Sequence, residues 1–166
     1  MTENAASLEA RVQRCEDELA IRNLIARYGT AADCGDAAAA MACHSENAVY
    51  TVSAPESGRS DRNVRKEDLV MRGREAIGEM LVSELHQSLL PRCAHMVHSL
   101  IVTVDGDEAH AFAYSQILLK EPDEIKIMRV AINRWQLGRY GSRWLIDSRE
   151  SRLLGEEAAQ AVLRSI

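Results

Sequence analysis

The sequence predicts an α+β domain in which a curved, mostly antiparallel sheet wraps around one long N-terminal helix. Three observations predict it. Apolar residues recur at helical spacing over residues 6–32, and they alternate with a period of two through most of residues 95–148. The helical segments precede the run of strands instead of interleaving with it, which separates α+β from α/β architecture. The chain has 166 residues, 46% of them apolar and 27% charged, as expected of a single domain spanning 1–166.

The first helix is expected over 6–32. Leu8, Val12, Leu19, Ile21, Leu24, Ile25 and Tyr28 mark its apolar face. Ser7 is placed to cap it, and Glu9 puts negative charge in its first turn. The charged stretch from Leu8 to Leu19 suits a solvated face or a contact with another subunit. Asp33-Cys34-Gly35-Asp36 breaks the helix, with Gly35 fitted to the left-handed cap position. Asp36 then caps a short alanine-rich helix over 37–43. Asn47 to Val52, rich in β-formers, reads as the first strand.

Residues 53–68 are polar and charged and read as a long surface loop, of a length that often serves as a lid. Gly73 to Leu89 returns to helical spacing, with Ile77, Met80, Leu81, Leu85 and Leu89 on one face and Pro91 ending it. Four strands follow: His95 to Val104, Ala109 to Leu119, Ile127 to Leu137 and Arg143 to Ser148. Their turns are Asp105-Gly106-Asp107, Glu121-Pro122-Asp123-Glu124 and Arg139-Tyr140-Gly141-Ser142. Leu153 to Ile166 forms a helical or frayed tail.

Composition removes several classes of partner. The net charge of -5 leaves no Lys/Arg excess to neutralise a phosphate backbone, so nucleic acid is not an expected partner. No apolar run approaches the ~18 residues that a bilayer span needs. Met1 to Glu9 is polar and acidic, unlike a signal or transit peptide, so no membrane partner is expected and the default compartment is the cytoplasm. Cys15, Cys34, Cys43 and Cys93 lack the close spacing of a zinc or redox site and read as free thiols in a reducing compartment.

The histidines divide by position. His95 and His98 stand an odd number of residues apart on one strand, so their rings face opposite sides and cannot share a metal. His44 and His110 read as surface residues, and His86 as a helix-face residue. On one strand His110, Phe112, Tyr114, Gln116 and Leu118 share a face; on the next, Arg129, Ala131, Asn133, Trp135 and Leu137 do. Tyr28, Tyr114, Asn133 and Trp135 are therefore candidates to line a pocket. Tyr114 and Trp135 would serve equally well as core or as a subunit interface.

Several stretches resemble one family in order and spacing. These are Glu18 to Tyr28, Asp33 to Asp36, Asn47 to Tyr50, Arg72 to Ile77, His95 with Val102 to Ala109, and Tyr140 to Trp144. Together they are similar to SnoaL-like proteins, members of the cone-shaped superfamily named after the nuclear transport factor. The resemblance covers about residues 8–152, leaving 153–166 as a tail, and it implies a cone-shaped α+β barrel. The catalytic pattern resembles scytalone dehydratase and hexachlorocyclohexane dehydrochlorinase. Those enzymes set an Asp at the end of the first helix against a His opening the sheet, and the matching positions are Asp33 and His95. The dehydrochlorinase's last-strand Arg matches Arg149, and the dehydratase's first-strand Tyr matches Tyr50. The dehydratase's second catalytic His is unmatched: Ala113-Tyr114-Ser115-Gln116 stands there.

The chemistry fits those residue types. A His titrates near neutrality and can take a proton from carbon. A neighbouring carboxylate fixes its tautomer and stabilises the imidazolium as it forms. Such a dyad needs no metal and no organic cofactor. Arg149 would bind a leaving anion or a substrate carbonyl, or else form a surface ion pair with Glu150 or Asp147. The expected function is a cofactor-independent lyase, eliminating water or halide from a small hydrophobic molecule. Two other readings stay open: a ketosteroid-isomerase-like or polyketide-cyclase-like proton transfer with Asp33 as base, and a non-catalytic ligand-binding or hydroxylase small-subunit module. The sheet's partly covered outer face predicts a homo-oligomer, a trimer in preference to a dimer because similar dehydratases are trimers.

Overall fold

Helix α1, Thr2–Asp33, leads into a short α2, Ala37–Met41, and strand β1, His44–Val52. Strand β2, Leu69–Arg72, precedes helices α3, Arg74–Val82, and α4, Glu84–Gln87. The chain then runs through β3, Cys93–Asp105, β4, Glu108–Lys120, β5, Ile125–Tyr140, and β6, Arg143–Leu153, and ends in α5, Glu157–Leu163. This computed structural model describes residues 2–53 and 68–166. The expected 53–68 loop lies outside the described residues except for its two ends.

All six strands form one open, curved sheet in the order β2-β1-β6-β5-β4-β3. Every neighbouring pair is antiparallel except β1 and β6, which run parallel. In β3 the register shifts between His98 and Ile101, and Ser99 takes a φ of 54°, so a bulge adds to the sheet's curvature there.

The inner face explains where the helix sits. Strand β4 presents Ala109, Ala111 and Ala113 inward, all buried. These small side chains leave room for α1, whose Ile21, Leu24, Ile25 and Tyr28 recur at helical spacing and are all buried. Asp17 anchors the helix lower down, accepting from Arg139 Nη2 at 2.7 Å and Trp144 Nε1 at 3.0 Å. Leu8, Val12 and Leu19, expected on the buried stripe, are exposed instead: Leu8 and Val12 precede Asp17, where α1 meets the sheet, and Leu19 lies on the side of the helix opposite Asp17, Ile21 and Tyr28.

Other boundaries depart from expectation for local reasons. The expected single helix over 73–89 breaks at Ser83, which turns extended (ψ 151°) and caps α4 by accepting from the His86 backbone N–H. Strand β2 is absent from the sequence reading because it is four residues long; pairing with β1, not an apolar pattern, holds it. The tail over 153–166 forms α5, whose Ala159 and Val162 pack with Ile132 and Phe112 on the outer face of the sheet. Gly35 has a φ of 76° and the Asp36 side chain accepts from Ala39 N, both as expected, but α1 already begins at Thr2, so Ser7 lies within the helix and does not cap it.

Candidate active site

Helix α1 ends at the sheet. Gly29 brings it close enough that a Cβ there would stand 3.5 Å from the His95 carbonyl oxygen. One turn later Asp33, the last helical residue, reaches the start of β3. His95 Nδ1 lies 2.6 Å from Asp33 Oδ1, and the His95 backbone N–H donates to Asp33 Oδ2 at 2.9 Å. The Cys93 thiol donates to the same carboxylate at 3.8 Å. Both carboxylate oxygens are thus engaged by the opening residues of β3. Nδ1–H is the donor of this pair, which leaves Nε2 with the lone pair.

A carboxylate at a helix C-terminus faces the negative end of the dipole, so it needs such donors. Burial is the largest influence on Asp33 and opposes its ionisation. The His95 ring and backbone hydrogen bonds, the His95 charge and the Cys93 thiol together outweigh burial and hold the carboxyl below the usual range. A group with a depressed folded-state pKa adds stability above its unfolded value, and that stability is lost as pH falls through the folded value. Asp33→Asn should therefore melt below the wild type at pH 7, with the gap closing as pH falls below the ordinary value of 3.8. Melting curves taken from pH 7 to pH 2.5 check this; a gap that stays constant would refute it.

Asp33, Cys93 and His95 also bring three ligand-type atoms within 4.8 Å of one another. Their geometry is that of a hydrogen-bonded dyad. At 2.6 Å the Nδ1 and Oδ1 atoms bond directly, and burial pushes the Cys93 thiol up, away from the thiolate a metal requires.

Beyond the helix end the inner face opens into a cavity of about 220 Å3. His95, Ile117 and Arg129 line it as neighbours in one cross-strand row. Met80, Leu81, Leu85 and Leu89 close it from α3, α4 and the turn after them, while Tyr28, Tyr50 and Arg149 lie deeper.

Seven of the eight candidate residues gather around this cavity. Tyr28 and Tyr50 line it, and burial pushes the Tyr28 phenol well above its ordinary range. Arg149 is 7% exposed, and the surface ion pair with Glu150 or Asp147 does not form; Glu150 binds Arg134 and Arg152 instead. Arg149 Nε and Nη2 both donate to Asn133 Oδ1, at 3.0 and 2.9 Å, and Asn133 Nδ2 donates to Ser115 Oγ at 2.7 Å. Asn133, fully buried, is therefore the support of Arg149 and not a member of the main cavity wall. Trp135 backs the same guanidinium, whose carbon lies 5.3 Å from the ring, and it lines a smaller void shared with His95.

Tyr114 is the exception. It pairs with Ile132, which faces α5, so its ring points to the outer side of the sheet and is 38% exposed. The inner positions of β4 belong to Ser115 and Ile117.

Two histidines sit differently from expectation. His44, read as a surface residue, is 1% exposed: its Nδ1 lies 3.0 Å from Ala40 O and its ring stands edge-on to Tyr28. Burial pushes it down to about 4, so it is neutral at pH 7. His86, read as a helix-face residue, is buried and lines the cavity, its ring 6.1 Å from that of His95. Its Nε2–H donates to the Ala32 carbonyl at 3.1 Å, satisfying an orphan carbonyl of the last turn of α1 next to Asp33. Helical periodicity gave no signal for this, because the break at Ser83 re-aims α4. His98 and His110 are exposed.

Comparison with known proteins agrees with this fold. A family model described as a SnoaL-like domain matches residues 13–150. A solved NTF2-like protein with a cystatin-like fold from Novosphingobium aromaticivorans is 35% identical, with a TM-score of 0.82 over 95% of this chain and 96% of that one. A protein of the same organism with a provisional scytalone dehydratase name is 15% identical, with a TM-score of 0.63 over 84% and 85% of the two chains. Another, provisionally an aromatic ring hydroxylase, is 22% identical, with a TM-score of 0.58 over 86% and 92%. No curated protein matches the chain. No helix among the described residues is long and apolar enough to cross a membrane.

Proposed function

This chain belongs to the SnoaL-like family, and we propose that within it the chain is a cofactor-independent lyase acting on a small, largely apolar molecule. The observation that carries the reading is the 2.6 Å contact between His95 Nδ1 and Asp33 Oδ1 at the edge of a mostly apolar cavity. Asp33 holds the ring with Nδ1 protonated, and Nε2 takes a proton from a substrate carbon. The C–H electron pair forms the new double bond, and the group on the adjacent carbon leaves with its bonding pair. Arg149 balances negative charge that the substrate carries or develops. Asp33 stabilises the imidazolium until the proton passes on.

The occupation of both Asp33 oxygens by His95 donors favours His95 over Asp33 as the base. An isomerase or cyclase with Asp33 as base would want a carboxylate oxygen facing the cavity.

The test is a panel of β-hydroxy carbonyl compounds and vicinal chloroalkanes incubated with the protein in D2O and followed by proton NMR. Elimination gives alkene signals that grow with enzyme concentration. Deuterium entering the donor carbon without alkene would replace elimination by isomerisation. No exchange and no alkene across the panel would favour a binding module.

A further inference from the structure

Arg149 and Arg129 have no carboxylate partner among the described residues. Arg149, 7% exposed, donates only to the neutral amide oxygen of Asn133, with its guanidinium carbon 4.7 Å from the Tyr50 ring centre and 5.4 Å from that of Tyr28. Arg129 donates to two backbone carbonyls, Ser53 O at 3.3 Å and Ser151 O at 3.4 Å. Glu156 lies close enough for its charge to act on Arg129, but it accepts from Ser53 Oγ at 2.5 Å and forms no ion pair with the guanidinium. Both arginines line the cavity.

Arg149 is buried and Arg129 half-buried, and a cation withdrawn from water onto neutral acceptors and ring faces is costly unless an anion completes it. The exposed and half-buried arginines 92, 134, 139 and 152 all have carboxylates. The two in the cavity have none. Burial pushes Arg129 down and the nearby Arg149 charge adds to that, against opposing pulls from Tyr50 and Glu156.

We propose that this pair is a carboxylate-binding subsite and that the molecule the cavity takes is an amphipathic acid, apolar in body and anionic at one end. The sheet register sets its orientation. His95, Ile117 and Arg129 are successive neighbours across β3, β4 and β5, so His95 and Arg129 are about 10 Å apart in backbone terms at ~4.8 Å per strand. An acid anchored on the arginines crosses Ile117 to reach the Asp33–His95 pair, with its apolar body against Met80, Leu81 and Leu89. A carboxylate suits the planar guanidinium fork.

The inference names a substrate class for the site of the proposed lyase, yet binding is read without turnover, so the two fail separately. The probes are benzoate, phenylacetate, 4-phenylbutyrate and octanoate, each set against its alcohol of the same skeleton, titrated calorimetrically into the full chain. At least one acid should bind ten times more tightly than its alcohol. His95→Gln should keep that preference even where it abolishes reaction. Arg129→Met should remove most of it while leaving the alcohol unchanged, and Arg149→Lys, which keeps the charge but loses the fork, should weaken the acid several-fold. The absence of any acid-over-alcohol preference across the series, or a preference that survives Arg129→Met, overturns the proposal.

Discussion

His95→Gln is expected to lower kcat roughly a hundred- to ten-thousand-fold, the usual contribution of a positioned general base. The chain should still fold, because the His95 backbone N–H keeps its 2.9 Å bond to Asp33 Oδ2 whatever the side chain. Asp33→Asn tests the same pair from the other side. An amide can offer its own N–H to Nδ1, which reverses the tautomer and moves the lone pair away from the cavity. Its kcat should fall by a comparable factor while KM changes little, since Asp33 does not line the cavity. Steady-state kinetics on a substrate found by the exchange panel measure both. Full turnover by His95→Gln sinks the proposed mechanism; full loss in Asp33→Asn alone would transfer the base to the carboxylate.

The second large effect is expected from Asn133→Asp, a nearly isosteric change at a fully buried position. The new carboxylate keeps the acceptor for Arg149 Nε and Nη2, and the Ser115 hydroxyl can rotate to donate where it now accepts. It also supplies the counter-ion that Arg149 lacks. Acid binding should drop at least tenfold, because the incoming carboxylate meets an Arg149 that is already paired. Stability should stay within about 1 kcal/mol, since burying a well-bonded ion pair in place of a charge–amide bond gains Coulomb energy and loses desolvation energy together. Asn133→Leu, by contrast, leaves two Arg149 donors buried without an acceptor and should cost about 3 kcal/mol. Calorimetric titration and melting temperature separate the two variants. Unchanged acid binding in Asn133→Asp would show that Arg149 does not meet the anion.

The sequence by itself determined the fold class and the order of the main elements, and its family resemblance singled out Asp33 and His95, which the fold brings into contact. Local signals carry the class and the order: Gly35 permits one backbone shape, Asp36 caps one helix, Asp-Gly turns close hairpins, and the spacing of Ile21, Leu24, Ile25 and Tyr28 has one buried face. Tertiary structure alone decided which face of β4 looks inward. Alternation makes two faces but does not choose between them, and the larger apolar set with Phe112 and Tyr114 was the natural candidate. The helix occupies that space, so the alanines go in and Tyr114 goes out, toward the side that α5 covers. The same limit hid His86 and Arg129 as cavity residues. One is aimed by a helix break at Ser83, the other by a cross-strand register linking residues 95, 117 and 129, and neither relation exists along the chain. That Arg149 is buried on an amide instead of paired at the surface is likewise a long-range fact, set where β5 and β6 lie side by side.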